Sequence, residues 1–324
     1  MSSCLSSIQL SIADDLKKLN DLIAARLSTT NPLMDAVITN YLRSKGKQIR
    51  PLVVMLCAKM YGEVNDRVIS AAAAVELLHN ASLIHDDVVD NASTRRSMPT
   101  INSVWDNHIA VLMGDFFVST SMQEAISTSD VRIISALCHL GRLLSIGELD
   151  QIYNARFHKL TEDAYFRIIS YKTASLFVAC ARMGCYAVGA SDEETERMAR
   201  FAELMGQAFQ IRDDIFDYFD GDVGKPTAND LREGKITLPL LHVLLNKNLE
   251  HHDEMLELSR REQLTEAEIE MLIAYARRHG GIEYAYETME RLRRRGAEIL
   301  SECDPCPAAQ SLMEIFDYII ERKK

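Results

Sequence analysis

The stretch from Leu77 to Arg96, LLHNASLIHDDVVDNASTRR, combines acidic and basic residues with an apolar helical pattern. Apolar residues precede and separate three aspartates, Asp86, Asp87 and Asp90, a pattern typical of a buried helix with an acidic end. On such a helix Asp86 and Asp90 lie about 40° apart in azimuth and about 6 Å apart along the axis. Carboxylates crowded on an apolar helix repel one another and lose hydration, so the spacing predicts a bound divalent cation. Mg²⁺, which bridges carboxylates to phosphates, is the expected ion.

The same spacing recurs at Asp213, Asp214 and Asp217, within the apolar sequence GQAFQIRDDIFDYF. A single group of this kind is more often a solvated helix face than a metal site, but two chance copies in one chain are rare. Two acidic helices that face each other would hold divalent ions between them. The sequence therefore predicts a metal clamp built from two helices.

The composition is that of an ordinary globular protein. The chain has 324 residues, 47% hydrophobic and 26% charged, and can bury a large core. It has seven prolines and fourteen glycines, and no Gly/Ser-rich or Pro-rich linker divides it, which predicts one domain over residues 1–324. The formal net charge of −11 without a basic stripe argues against nucleic acid as a partner.

The first residues, MSSCLSSIQLSIADDLKK, lack a basic region followed by a long apolar core. No uncharged apolar run reaches the length of a membrane span, so we expect no transmembrane segment. The seven cysteines are scattered and odd in number, which suits reduced thiols. Cys303 and Cys306 have the spacing of a redox motif but no βαβ pattern around them. These features predict a cytoplasmic protein.

Nearly every segment has the apolar periodicity of a helix, and no segment alternates with period two. The fold class expected is all-α. The periodicity places helices at residues 5–27, 32–42, 46–61, 66–91, 100–127, 130–157, 161–188, 192–220, 237–246, 265–279, 281–303 and 307–322.

Two basic groups before the first acidic motif are candidate phosphate ligands. Gly46, Lys47 and Arg50 lie at a helix start, where backbone N–H groups are free and both cations share a face. The alternative is a polar helix N-terminus followed by a buried continuation. His79 falls two turns before Asp86 on nearly the same face, although a lone histidine in an apolar helix is usually a core residue.

Further cations follow the acidic motifs. Arg95 and Arg96 come just after the first, where guanidinium groups could hold diphosphate oxygens bidentately. Lys172 lies within the apolar sequence ISYKTASLFVAC, so it needs an anion or must extend to solvent. Lys225 lies in the polar, glycine-bearing loop Gly221 to Gly234, and Lys235 directly follows it. This loop is a candidate lid.

These motifs together resemble the trans-prenyl diphosphate synthases of the polyprenyl synthetase family, and among them the long-chain, octaprenyl type. The resemblance covers nearly the whole chain. The motifs, in family order, are Gly46-Lys47-x-x-Arg50-Pro51, His79, Asp86-Asp87-x-x-Asp90, Arg95-Arg96, Gly147-Glu148, Lys172-Thr173, Gln207 to Asp217, Lys225-Pro226 and Gly234-Lys235. Departures are Gln48 where arginine is common, Ser97 where glycine often follows the arginine pair, and Ala228 where glycine is frequent.

The resemblance implies an isoprenoid-synthase fold, a helical bundle around a deep central cavity that works as a homodimer. It implies three Mg²⁺ ions, and isopentenyl diphosphate and an allylic diphosphate as substrates. The implied metal ligands are Asp86, Asp87, Asp90, Asp213, Asp214 and Asp217. The allylic diphosphate would be bound by Arg95, Lys172, Lys225 and Lys235, and the reacting carbon lined by Thr173 and Gln210. Isopentenyl diphosphate would be bound by Lys47, Arg50, His79 and Arg96, next to Gly46.

Two other classes of protein deserve comparison. A class I terpene cyclase would carry an Asn/Ser/Glu triad in place of the second acidic motif, and would not need Lys47, Arg50 and His79. A non-catalytic subunit of a heteromeric synthase would have lost at least one acidic motif. Both motifs are intact in this chain, which favours a catalytic synthase.

Product length is predicted from the residues beneath the first motif. Ser82 is one turn below Asp86 on the same face, about 6 Å away, and Ala81 lies beside it. In short-chain members of the family, bulky residues at these positions form a floor. Two of the smallest residues therefore predict a long product, around the hexa- to nonaprenyl range used for quinone side chains. Tight helix packing also selects Ala and Ser, so a short-chain farnesyl or geranylgeranyl synthase is the alternative.

Overall fold

The computed structural model describes residues 2–43, 46–95, 98–219, 228–261 and 263–322. Most of these residues are helical and very few are in strands, so the all-α prediction is confirmed. The α-helices are α1 (Ser2–Ser11), α2 (Ala13–Leu27), α3 (Pro32–Arg43), α4 (Ile49–Lys59), α5 (Asp66–Val89), α6 (Ile101–Val104), α7 (Asn107–Ser127), α8 (Val131–Phe157), α9 (Glu162–Ile169), α10 (Ser175–Ala187), α11 (Asp192–Phe216), α12 (Asn229–Arg232), α13 (Leu238–Leu245), α14 (His252–Leu258), α15 (Glu266–Arg278), α16 (Gly281–Ser301) and α17 (Pro307–Glu321).

Helix α5 lies at the centre of the bundle and packs against α2, α4, α7, α8 and α10. Its N-terminus is fixed by Asn65, whose side chain accepts a hydrogen bond from the Val68 backbone N–H. Four consecutive alanines at 71–74 are fully buried, and such small side chains let the neighbouring helices approach closely. Helix α11 packs against α10 and α16. Buried apolar residues from Leu5 to Ile319 form one continuous core.

Both acidic motifs lie at the C-terminal ends of long helices. Asp90 follows the last residue of α5, and Asp217 follows the last residue of α11. The helix dipole puts partial negative charge at this end, so it disfavours carboxylates there as well. The fold thus concentrates negative charge at two points that a cation would stabilise.

Several helix boundaries differ from the sequence prediction. The helix expected at 5–27 is interrupted at Ile12, and the helix expected at 100–127 is interrupted at Trp105. Asp106 starts α7 anew, because its side chain accepts a hydrogen bond from the Ile109 N–H. The helix expected at 161–188 contains a π-helical turn, Ser170–Ala174, between α9 and α10.

A short antiparallel hairpin was not predicted. Strand β1 (Thr94–Arg95) pairs with β2 (Met98–Pro99), with Thr94 opposite Pro99 and Arg95 opposite Met98. The two residues that join the strands are outside the described part of the chain. Two-residue strands leave no room for alternation of period two, so sequence periodicity could not reveal them.

One helix in the described residues, α5, is long and apolar enough to cross a membrane by length and composition alone. However, 72% of its most apolar window is buried inside the protein. This degree of burial is that of a core helix, and it agrees with the central position of α5.

Candidate active site

One cavity of about 700 Å³ brings many of the predicted site residues together. It opens between α5, α8, α10 and α11. Its lining includes Arg50, His79, Ser82, Asp86, Arg95, Glu148, Lys172, Thr173, Gln210 and Asp213. Carboxylates from both acidic motifs therefore share a single space with cations from three other segments.

On α5, the three aspartates have different environments. Asp86 lines the cavity and is half-buried, and burial raises its pKa from 3.8 to about 6, although Lys172 opposes the shift. Asp87 is buried and accepts a hydrogen bond of 2.8 Å from Arg95 Nε. Asp90 is exposed at the helix end. Only Asp86 of this motif faces the cavity directly.

On α11, each aspartate is also held differently. Asp213 lines the cavity and is paired with Arg322 at 2.5 Å. Asp214 is 3% exposed, and burial raises its pKa to about 7. Asp217 Oδ2 accepts a hydrogen bond of 2.8 Å from the Asp230 backbone N–H. The second motif therefore has one carboxylate in the cavity and two that are engaged beside it.

A chain of hydrogen bonds connects the π-helical turn to the second motif. Thr173 Oγ1 donates to Gln210 Oε1 at 2.6 Å, and Gln210 Nε2 donates to Asp214 Oδ1 at 2.8 Å. Tyr165 Oη donates to the other oxygen of Asp214 at 2.6 Å. The side-chain atoms in these three hydrogen bonds all have partners. Removing one of these partners would therefore destabilise the fold by about 1–3 kcal/mol.

Lys172 and Thr173 lie within the π-helical turn, not in a regular helix as predicted. Glycines on both neighbouring helices allow the turn to pack closely. A Cβ at Gly147 of α8 would lie 2.8 Å from the Lys172 backbone N, and one at Gly206 of α11 would lie 2.5 Å from Ala174 Cα. The turn presents the Lys172 ammonium to Glu148 at 2.5 Å. Such turns are common at functional sites.

Two of the residues predicted to bind isopentenyl diphosphate, Arg50 and His79, line the cavity. Arg50 lines the cavity, with its guanidinium 5.6 Å from the ring centre of Phe177. His79 is 6% exposed and lines the same cavity. Lys47 is exposed, with its ammonium 5.4 Å from the ring centre of Tyr318. Gly46 lines a neighbouring pocket of about 110 Å³ instead.

Lys235 is not in the main cavity. It lines a second pocket of about 160 Å³ and is paired with Glu233. Lys172, Thr173 and Gln210 form the wall shared by the two spaces. The predictions for Arg96 and Lys225, and residues 221–227 of the proposed lid, fall outside the described residues.

The two residues predicted to control product length differ in their positions. Ser82 lines the cavity, and its hydroxyl donates to the His79 carbonyl at 2.8 Å. Ala81 is fully buried and does not line the cavity. Adjacent helix positions point about 100° apart, which explains why only one of the two faces the open space. The structure therefore places Ser82, but not Ala81, at the open space, and control of product length by these two residues stays a prediction.

Three residues at the site were not identified from the sequence. Tyr165 orients Asp214, Arg322 pairs with Asp213, and Asp230 donates its backbone N–H to Asp217. Burial near Asp214 and Asp217 raises the pKa of Asp230 well above 3.8. Arg322 lies 109 positions after its partner, and no local spacing could have indicated that contact.

The donor set fits hard divalent ions held jointly with a phosphate ligand. In the described part of the chain, no three His, Cys, Asp or Glu side chains converge tightly enough to hold an ion alone. Mg²⁺ is commonly bound by one or two carboxylates, waters and substrate phosphates. Asp86 and Asp213 offer such carboxylate oxygens to the cavity, and the cations beside them suit a phosphate.

The sequence is similar to those of known proteins over nearly its whole length. A model of the family described as polyprenyl synthetase matches residues 31–276. Octaprenyl diphosphate synthase of Haemophilus influenzae is 30% identical over 310 residues, which are 95% of this chain and 94% of that protein.

Two solved structures have similar folds. Geranylgeranyl pyrophosphate synthase from Bacteroides thetaiotaomicron is 36% identical with a TM-score of 0.85, over 99% of this chain and 100% of that one. Polyprenyl synthase from Caulobacter crescentus, solved with calcium and isoprenyl diphosphate, is 27% identical with a TM-score of 0.91, over 99% and 98% of the two chains.

Proposed function

This chain belongs to the polyprenyl synthetase family, and we propose that it is a Mg²⁺-dependent trans-prenyltransferase. It would condense isopentenyl diphosphate with an allylic diphosphate primer to give an all-trans polyprenyl diphosphate. The observation that carries this proposal is the cavity itself, where Asp86 and Asp213 face the same space as Arg50 and Lys172. A site with both signs of charge suits a diphosphate that is bound together with divalent cations.

Mg²⁺ bound between the two acidic motifs would neutralise the diphosphate as the allylic C–O bond breaks. Asp86 and Asp213 would hold it, with the other four motif aspartates contributing after the substrate binds. Three ions are expected by resemblance to the family. The Caulobacter relative with calcium and isoprenyl diphosphate supports a divalent ion and a substrate of this class.

The chain's own residues would bind and orient the allylic substrate. Lys172 and Arg95 would hold its diphosphate, exchanging their present partners Glu148 and Asp87 for phosphate oxygens. Thr173 and Gln210 would place hydroxyl and amide oxygens beside the reacting carbon, where positive charge develops. Lys235 would join them from the adjoining pocket, as would Lys225, which lies outside the described residues.

Apolar side chains in the cavity are suited to a hydrocarbon tail and to keeping water out. Leu144, Leu149, Leu176 and Phe209 are among its lining residues. Water would capture an allylic cation, so a largely apolar wall protects the intermediate. The proton lost in the condensation would pass to the departed diphosphate, so no strong general base is needed among the side chains.

Isopentenyl diphosphate would bind at a second set of residues, Lys47, Arg50, His79 and Arg96. We expect His79→Ala to raise the KM for isopentenyl diphosphate roughly tenfold to a hundredfold, because a hydrogen bond to a charged group is worth about 1.5–3 kcal/mol. The KM for the allylic primer should change much less. Steady-state kinetics with each substrate varied in turn would measure both, with the exposed α8 residue His139→Ala as a control. If only the primer's KM rose, the two sites would have to be exchanged.

Mg²⁺ should stabilise the protein more at pH 8 than at pH 6. Burial raises the pKa of Asp86 to about 6 and of Asp214 to about 7, from 3.8. Between about pH 4 and pH 7, the folded protein therefore binds more protons at Asp86 and Asp214 than the unfolded chain does. Their contribution to metal-free stability therefore falls as the pH rises from about 4 to about 7. Metal binds only the deprotonated forms, so the increase in Tm caused by Mg²⁺ should grow with pH. An increase that is larger at pH 6 than at pH 8 would contradict this.

We favour a long-chain product. The octaprenyl diphosphate synthase of H. influenzae matches nearly the full length of this chain, and the small side chain of Ser82 narrows the cavity little. The 36% identity to a geranylgeranyl pyrophosphate synthase keeps a twenty-carbon product as the second candidate.

The enzyme is further proposed to be a cytoplasmic homodimer. The side chains of Val111, Leu112, Met122 and Ile126 are 41–66% exposed along one face of α7, and a second copy of the chain would cover them. Light scattering should give twice the mass of one chain, and Leu112→Glu should lower it. A cytoplasmic location suits the free thiols of Cys57, Cys180 and Cys185, which are buried without disulfides.

The activity can be tested by incubating the purified chain with Mg²⁺, an allylic diphosphate and labelled isopentenyl diphosphate. Label should enter a longer prenyl diphosphate, and the product should disappear when Mg²⁺ is chelated. A cyclised hydrocarbon made from the allylic diphosphate alone would instead indicate a terpene cyclase. Absence of any product with all common primers would contradict the proposal.

A further inference from the structure

Cys303 and Cys306 lie in the short segment that joins α16 to α17. Helix α16 ends at Ser301, and α17 begins at Pro307. The backbone bends at Cys303, and Cys306 directly precedes the first residue of α17. Both thiols are free and partly exposed. Neither residue lines the main cavity, so prenyl transfer gives this pair of thiols no role.

The two thiols face the same end of α4. Cys306 Sγ lies 3.5 Å from Met60 Sδ, and Cys303 Sγ lies 3.9 Å from Tyr61 Oη. Met60 and Tyr61 are consecutive residues, so their Cα atoms are about 3.8 Å apart. Arg50, which lines the main cavity, is near the other end of α4, about 15 Å away along the helix axis. The thiol pair is therefore gathered at one place that is separate from the proposed active site.

Cys303 has the surroundings of a reactive thiol. Arg197 of α11 lies 3.6 Å from Glu302, the residue before Cys303. The pKa of the Arg197 guanidinium is raised, because a hydrogen bond with the Cys303 sulfur outweighs the opposing effect of desolvation. The Tyr61 hydroxyl is a second polar group against the same sulfur. Reactive cysteines in proteins occur in partly exposed, electropositive surroundings of this kind.

The other cysteines whose side chains the structure describes lack these features. Cys57, Cys180 and Cys185 are buried, and burial raises the pKa of each thiol. Buried, protonated thiols of this kind are inert. Cys138 is exposed on α8 but has no second cysteine near it in the sequence. The pair at the start of α17 is thus set apart by partial exposure together with a second thiol three positions away.

We propose that Cys303 and Cys306 form a thiol–disulfide exchange site that is oxidised by small-molecule disulfides such as glutathione disulfide. This role goes beyond prenyl transfer and does not depend on it. Cys303 attacks one sulfur of glutathione disulfide, the S–S bond breaks, and the departing glutathione takes up the proton that Cys303 lost. Cys306 then attacks the Cys303 sulfur of the mixed disulfide and releases the second glutathione in the same way. The two protein thiols lose two electrons, which reduce one glutathione disulfide to two glutathiones.

The Asp304-Pro305 link allows this disulfide to close. It belongs to neither helix, and it separates the cysteines by three Cα–Cα steps of about 3.8 Å each. A disulfide needs Cα atoms within about 7 Å of each other, and the bend at Cys303 shortens the path between them. On oxidation each sulfur exchanges its contact at the end of α4 for the other sulfur.

The test follows the mass of one peptide of the full-length protein. Trypsin releases residues 296–322 as a single peptide, since no Lys or Arg lies between Arg295 and Arg322. The folded protein is incubated with glutathione disulfide, remaining thiols are alkylated, and the digest is analysed by mass spectrometry. In the wild type this peptide should lose two hydrogens and escape alkylation, and dithiothreitol should reverse the change.

Variants separate the two steps of the exchange. Cys306→Ser should stop at a mixed disulfide with one glutathione on the peptide of residues 296–322. Arg197→Gln and Tyr61→Phe should slow closure several-fold, because each removes a polar group beside the Cys303 sulfur. Cys138→Ser is the matched control and should close at the wild-type rate. Reduced Cys306→Ser should keep the wild-type rate of prenyl transfer.

The wild type alone can overturn the proposal, so the outcome does not depend on whether a variant folds. A peptide of residues 296–322 that keeps two free thiols while Cys138 gains glutathione would do so. So would one glutathione on each of Cys303 and Cys306 without ring closure. Modification of Cys57 or Cys185 at the same rate would also overturn it, because unfolding and not a built site would then expose the thiols.

Discussion

Replacing either cavity aspartate, Asp86→Ala or Asp213→Ala, should lower kcat by about a hundredfold to a thousandfold or more. Each removes one carboxylate that would hold Mg²⁺ against the diphosphate. A metal ion supplies several kcal/mol to a transition state of this kind, and 1.36 kcal/mol corresponds to a factor of ten in rate. Single-turnover kinetics at saturating Mg²⁺ and substrates would measure the loss.

Although Asp86→Ala should lower kcat, it should not lower the thermal stability of the metal-free protein. Its pKa is raised by burial, so the ionised carboxylate destabilises the metal-free fold at pH 8, and Asp86→Ala should leave Tm unchanged or higher. Asp213→Ala should lower Tm slightly, because Arg322 loses its partner. Asp21→Ala, at an exposed pair on α2, is the matched control and should change neither rate nor Tm. Near-normal kcat in both cavity variants with native circular dichroism would contradict the clamp.

The second large effect is on product length. Ser82→Phe should change the main product from a long chain to farnesyl or geranylgeranyl diphosphate. A phenyl ring at this position would fill the cavity one turn below Asp86, where the tail must descend. The rates of the first condensations should be nearly unchanged, because the diphosphate ligands are above the obstruction. Chromatography of dephosphorylated products would show the distribution.

The structure separates Ser82 from its neighbour in this experiment. Ala81 is fully buried, so Ala81→Phe would overpack the core and should cost about 1–3 kcal/mol of stability. Its product distribution is then an unreliable guide to the cavity. Ser82→Ala keeps the space open and should keep the long product. A wild type that already stops at fifteen or twenty carbons, or a Ser82→Phe variant that still makes the long chain, would show that the passage argument is wrong.

Helix periodicity predicted the architecture well because most helices here bury one apolar face. The predicted 130–157 and 307–322 segments agree with α8 and α17 to within one residue at each end. The break at Trp105 was missed because the apolar pattern continues across it, and the π-helical turn was missed because one extra residue hardly alters the periodicity. Organisation as one domain stays a prediction, which the continuous core supports.

The site was predicted less completely than the fold. Spacing on one helix identified Asp86, and motif order identified Lys172, and both lie in the cavity. Spacing cannot say which side chain a neighbour already engages, and so it did not reveal that Arg95 is held by Asp87. Contacts between distant segments, such as Arg322 with Asp213, depend on the packing of α17 and have no local signal in the sequence.

The most direct test of the central claim is to locate the metal ions. The protein would be crystallised with Mn²⁺, an unreactive thio-analogue of an allylic diphosphate and isopentenyl diphosphate, and the anomalous signal of manganese measured. We predict manganese peaks at both Asp86 and Asp213, on opposite sides of one diphosphate, with Lys172 contacting its oxygens. A diphosphate bound in the cavity without manganese at either aspartate, or manganese at only one of the two motifs, would contradict the claim that the two helices act as a single clamp.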